Sequence, residues 1–115
     1  MAEEKIYINT EEGLKRLMNN GKLYARLLGK FRADTTFADL AANLSAGDLE
    51  KARISAHTLK GMAASLSLTE LFEQVRDLEG RIKERAVEED ALDKVKNAYD
   101  ETIARLDEVI ANYVT

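Results

Sequence analysis

The sequence predicts an all-α protein: an antiparallel up-down-up-down four-helix bundle with a short additional N-terminal helix. Three observations carry this expectation. The 115 residues contain no proline, the residue that most strongly disrupts a helix interior. Apolar residues recur at steps of three and four along most of the chain, the spacing of a single buried helix face. The interruptions are few and short, so successive helices must double back on one another. At this length, residues 1–115 are expected to form one domain. A content of 45% hydrophobic and 33% charged residues suits a globular chain rather than a disordered one.

The segment "KIYIN" reads as a short extended lead-in. Thr10 is placed to cap a short helix over about 10–19, with Leu14, Leu17 and Met18 on one face. "NNG" at 19–21 interrupts it. A longer helix follows to about residue 46, its apolar side formed by Tyr24, Leu27, Leu28, Phe31, Phe37, Leu40, Ala41 and Leu44. The pattern slips at "RADTT" (32–36), which predicts a kink or a change of register.

Gly47 and Asp48 supply a helix stop followed by an N-cap. The next helix, about 49–66, carries a core row of Leu49, Ala52, Ala56, Leu59, Ala63 and Leu66. Its alternating steps of three and four are those of a close-packed seam, and its alanines allow neighbours to approach. "SLTE" at 67–70 fits a capping box, with Ser67 as the cap and Glu70 three residues on. Leu71, Val75, Leu78 and Ile82, with Phe72 beside them, mark a fourth long stripe. The last, over about 88–113, presents Leu92, Val95, Tyr99, Thr102, Leu106, Val109 and Tyr113, widened by Ile103 and Ile110.

Composition excludes several classes of function. There is no cysteine, which removes disulfides, thiolate metal sites and cysteine nucleophiles. A net charge of −4 without a basic, aromatic-rich stripe argues against nucleic-acid binding. No apolar run approaches the ~18 residues of a membrane span, and the acidic start "MAEEKIYINT" is not a signal peptide. The expectation is a cytoplasmic monomer, its apolar stripes being of the width that a single bundle buries; a free-standing protein and a domain of a larger one both fit the sequence.

One short stretch does not fit a purely structural bundle. "SAHTLKGMAASL" (55–66) holds the only histidine, His57, and a mid-helix glycine, Gly61. Glycine there costs about 1 kcal/mol relative to alanine. His57 follows the core residue Ala56, so it lies about 100° round the helix from the seam. Arg53, Lys60, Gly61 and Ala64 share its side of the helix. A structural reading makes His57 an incidental surface residue and Gly61 a mark of close packing. A chemical reading unites them. A neutral imidazole nitrogen is a nucleophile near pH 7, a lysine one turn away can balance the charge of a phosphoryl group, and a missing side chain one turn on leaves room for a large partner.

The residues "AHTLKG" (56–61) resemble the H-x-L-K-G signature of histidine-containing phosphotransfer (HPt) domains of bacterial two-component multistep phosphorelays. All four specified positions match: His57, Leu59, Lys60 and Gly61. "GLKRLMNNGKLYARLLGKF" (13–31) and "LSAGDLEKARISAHTLKG" (44–61) extend the likeness, which covers about 10–112. The resemblance implies that His57 accepts a phosphoryl group at Nε2 from the aspartyl phosphate of a response-regulator receiver domain and passes it to another receiver aspartate. It implies that Lys60 stabilises the phosphoryl charge and that Gly61 gives the partner access. The family often has a Gln or Glu on the following helix that holds the other ring nitrogen; ungapped counting puts Glu79 there, with Lys83 one turn on. Receiver domains, and a hybrid sensor histidine kinase, are the implied partners. No cofactor of its own is implied, and Mg2+ is expected on the receiver. Met62-Ala63 stand where many members have small polar residues, and Ser67 where a glycine is common in the turn.

No Gly-rich nucleotide loop or Asp/Asn metal cluster is present, so the chain is not expected to be an autokinase. The rival is a catalytically silent helical adaptor that binds receivers; relatives of that kind typically lack the histidine. A metal or haem site is disfavoured by the lack of a second histidine or a cysteine.

Overall fold

The computed structural model describes residues 5–113, and all regular structure in it is helical. Residues 1–4, the acidic start of the lead-in, lie outside the described residues. The helices are α1 (Thr10–Arg16), α2 (Gly21–Ala33), α3 (Thr36–Ser45), α4 (Leu49–Ser65), α5 (Thr69–Lys83) and α6 (Ala91–Tyr113). Neighbours pack in the order α3, α4, α5, α6, α2, with α1 against α2.

Among the described residues, three of the six helix starts carry a side-chain cap. Asn9, Asn20 and Asp48 each cap a helix by accepting a hydrogen bond from the backbone N–H three residues on, that of Glu12, Leu23 and Lys51 respectively. Asn9, not Thr10, is therefore the first cap. Gly47 takes φ +75° between α3 and α4, a conformation glycine adopts without steric cost.

The expected kink at 32–36 is a full break. The Asp34 carboxylate accepts from the Thr36 N–H at 2.7 Å, offering the backbone an alternative to the helical bond. Phe37 beyond the break stacks on Tyr99 of α6 with ring centroids 4.3 Å apart.

Two further sequence expectations are corrected. Met18 does not share a buried face with Leu14 and Leu17: it lies beyond α1 at φ 56° and is 91% exposed. Ser67 does not cap α5. It adopts φ 58°, Leu68 takes the cap position without a side-chain bond, and the Ser67 hydroxyl donates to Glu12 at 3.0 Å. The turn is held instead by the lead-in, whose Ile6 carbonyl accepts from the Glu70 N–H at 3.1 Å and whose Asn9 N–H donates to the Ser67 carbonyl at 2.8 Å.

The buried apolar residues form one cluster. On α4 the buried row is Ala52, Ala56, Leu59 and Ala63; on α5 it is Leu71, Val75, Leu78 and Ile82. Val95, Ala98 and Leu106 of α6 and Tyr24, Leu28 and Phe31 of α2 complete the centre. The α4 row is mostly alanine, which lets α5 come close beside it. That closeness positions the site.

Candidate functional site

With Ala52, Ala56, Leu59 and Ala63 turned inward, α4 must present the residues between them toward its edge or toward solvent. His57 is the most chemically active of these, and its side chain is 69% exposed. Lys60 lies one turn on at the α4–α5 boundary, its side chain only 25% exposed.

Glu79 comes from α5, directly after the buried Leu78 and four residues after Val75. It therefore sits at the margin of the apolar stripe, facing α4. Its side chain is 3% exposed, and it gathers the cations around it. The His57 Nδ1 lies 3.0 Å from Glu79 Oε2. The Lys60 Nζ donates to Glu79 Oε1 at 2.6 Å. The Lys83 Nζ is 3.9 Å from Oε2. Of the residues named from the sequence, His57, Lys60 and Glu79 thus meet, with Lys83 beside them, while Gly61 stands apart, facing outward.

Burial raises the Glu79 pKa, but the hydrogen bonds from Lys60 and His57, with the charges of Lys60 and Lys83, outweigh it and hold the carboxyl below its ordinary value. Glu79 is therefore ionised at neutral pH, and an ionised carboxylate can only accept. The proton between the two residues belongs to His57 Nδ1. In the neutral ring this leaves Nε2 as the nitrogen with a free lone pair.

A Cβ built on Gly61 meets no atom within 4 Å. The glycine is thus not required by the packing of this chain. Gly29 and Gly80 are equally open; what distinguishes Gly61 is its place one turn beyond His57. Beside it runs a groove of about 500 Å³ between α2 and α4. Leu27 and Phe31 form one wall, and Thr58, Gly61, Met62 and Leu66 the other. The sequence pointed to Leu27 and Phe31 only as core residues. Met62, the departure from the small polar residues common after the motif glycine, supplies part of the apolar lining.

Two features of the site were not anticipated. The resemblance placed Glu79 beside the ring but did not reveal its burial. Its i+4 relation to Val75 and i−3 relation to Ile82 were the available signal. Lys60 was expected to await a phosphoryl group; in this state its ammonium is engaged by Glu79. Among the described residues, no group of three or more His, Cys, Asp or Glu side chains converges as a metal site would require.

A helical bundle presenting one exposed imidazole, with a buried carboxylate fixing its tautomer and an ammonium at hand, is a scaffold for a histidine nucleophile. The family model described as the Hpt domain matches residues 27–108. This chain belongs to the Hpt-domain family, whose members are phosphocarriers in histidine phosphotransfer along two-component phosphorelays. Neither the curated proteins nor the solved structures yielded a match. No helix of the described residues is long and apolar enough to cross a membrane.

Proposed function

We propose that His57 is the phosphoacceptor of this chain. It takes a phosphoryl group at Nε2 from the aspartyl phosphate of a receiver domain and returns it to the aspartate of another receiver. The observation that carries this reading is the 3.0 Å bond from His57 Nδ1 to buried Glu79, made by a ring that is otherwise open to solvent. In the forward step the Nε2 lone pair forms a bond to phosphorus as the P–O bond of the acyl phosphate breaks. The bonding pair leaves with the aspartate carboxylate. The Nδ1 proton stays on the ring, which becomes a phosphoryl-imidazolium, and its bond to Glu79 becomes charge-assisted.

Lys60 is the cation for the phosphoryl oxygens, one helical turn from His57. The receiver supplies Mg2+ and its own acidic cluster, and it docks across His57 and the apolar groove beside Gly61. The chain contributes no nucleotide site and acts as a carrier without autokinase activity, in the cytoplasm and as a monomer. We read α2 and α3 together as one broken arm of an up-down-up-down bundle, completed by α4, α5 and α6, with α1 as the short N-terminal addition to a single domain.

The test is transfer of label from a panel of phosphorylated receiver domains to the wild type and to His57→Gln. Acid-labile, base-stable label on the wild type alone is expected. Absence of label on both proteins across the panel would overturn the proposal, as would label retained by the variant.

A further inference from the structure

We propose that Lys83 is a positioning residue of the phosphorylated state: it compensates the Glu79 carboxylate when Lys60 is drawn to the phosphoryl group on His57. The inference rests on the phosphocarrier reading of His57.

Glu79 is a buried carboxylate, and a buried charge is tolerated only while it is paired. In the resting site its Oε1 is held by Lys60 at 2.6 Å. Its Oε2 is held by His57 Nδ1 at 3.0 Å, with the Lys83 ammonium at 3.9 Å, just outside hydrogen-bond range. Lys60 comes from α4 and Lys83 from α5. The Lys83 side chain is 58% exposed, and among the described residues it has no other carboxylate within ion-pair distance. It is therefore free to move the short distance that a direct bond requires.

The charges of the cluster point the same way. At rest, with the ring neutral, one carboxylate faces two ammonium groups, an excess of one positive charge. Phosphorylation adds a group carrying about two negative charges and makes the ring cationic, a net gain of one negative charge. The two changes cancel only if both lysines belong to the cluster. Without Lys83, a single ammonium would serve both the phosphoryl oxygens and a carboxylate that is out of water. The loser would be the Nδ1–H bond, which depends on Glu79 remaining ionised and in place.

The full chain can be phosphorylated with phosphoramidate, a small donor to imidazole, so that no receiver is needed. Exchange of the His57 Nδ1 proton with water is then followed by NMR before and after phosphorylation, in the wild type, Lys83→Met and Lys83→Arg. Lys83→Met is expected to exchange within about twofold of the wild-type rate when unphosphorylated and about three- to fivefold faster when phosphorylated, the upper range of a partly screened charge pair. Lys83→Arg is expected to stay within about twofold of the wild type in both states. Equal exchange in phosphorylated wild type and Lys83→Met would overturn the inference. So would equal acceleration in the unphosphorylated form, since Lys83 would then serve the resting bond, and so would failure of the arginine to restore it. If the wild type takes no label on His57, the phosphocarrier reading itself falls and this inference with it. Label on His57 with unaltered exchange removes only Lys83.

Discussion

His57 Nδ1 and Glu79 Oε2 are 3.0 Å apart, although the residues are 22 positions apart in the chain and lie on different helices. The bond joins the most exposed functional group of the site to its most buried one. A bond of this kind favours the tautomer protonated at Nδ1 and leaves Nε2 unengaged.

Replacing Glu79 by alanine is expected to release the tautomer. The ring nitrogen shifts of His57 should move from the Nδ1–H form toward the Nε2–H form favoured by free imidazoles. Phosphorylation should slow by about tenfold, the lower range for losing an orienting partner. Ring nitrogen shifts unchanged from the wild type would remove Glu79 from this role.

The same carboxylate makes stability depend on pH. The Glu79 pKa in the folded protein is lower than in the unfolded chain, where it lies near 4.3. Its contribution is therefore fully present above that unfolded value and is lost as pH falls through the folded one. In urea titrations begun below about pH 5, the stability difference between wild type and Glu79→Gln should shrink as the pH falls further. A difference that grows with acid would contradict the direction of the shift.

Gly61 separates helix stability from partner access. Its Cβ position is empty to 4 Å, so Gly61→Ala should stabilise the fold by about 1 kcal/mol. Gly61→Gln should leave phosphorylation by phosphoramidate intact and impair transfer from a receiver. Normal receiver transfer in Gly61→Gln would show that the access argument is wrong.

Gly13 is the opposite case. A Cβ there would stand 2.5 Å from the Tyr24 ring, which is fully buried and donates its hydroxyl to the Leu66 carbonyl at 2.8 Å. Gly13→Ala should destabilise by about 1–3 kcal/mol through overpacking. It should leave the His57 ring signals unchanged. Thermal or urea unfolding measures the first, and NMR the second.

Much of this arrangement was legible in the sequence because it follows from helical spacing alone. The steps from Ala52 through Ala63 marked the buried face of α4, and they placed His57 and Gly61 off it. Glu79 was reached through the family resemblance, by ungapped counting along the next helix. What spacing could not reveal depends on contacts between distant segments. Ser67 looked like a local cap, but its hydroxyl bonds to Glu12, 55 residues away, and its backbone turns left-handed. The burial of Glu79 and its capture of Lys60 arise only when α4 and α5 are packed side by side. The break before α3 was visible as a slip in pattern. Its completeness depends on the Asp34 bond to the Thr36 N–H and on Phe37 finding Tyr99.

If Glu79 directs the phosphoryl group to Nε2 of His57, the site of phosphorylation on the ring will show it. The most direct measurement is the position of phosphorus on the ring, read by combined phosphorus and nitrogen NMR of the phosphorylated 115-residue chain. Phosphorus is expected on Nε2, with Nδ1 still carrying its proton. Phosphorus on Nδ1, or on any residue other than His57, would contradict it.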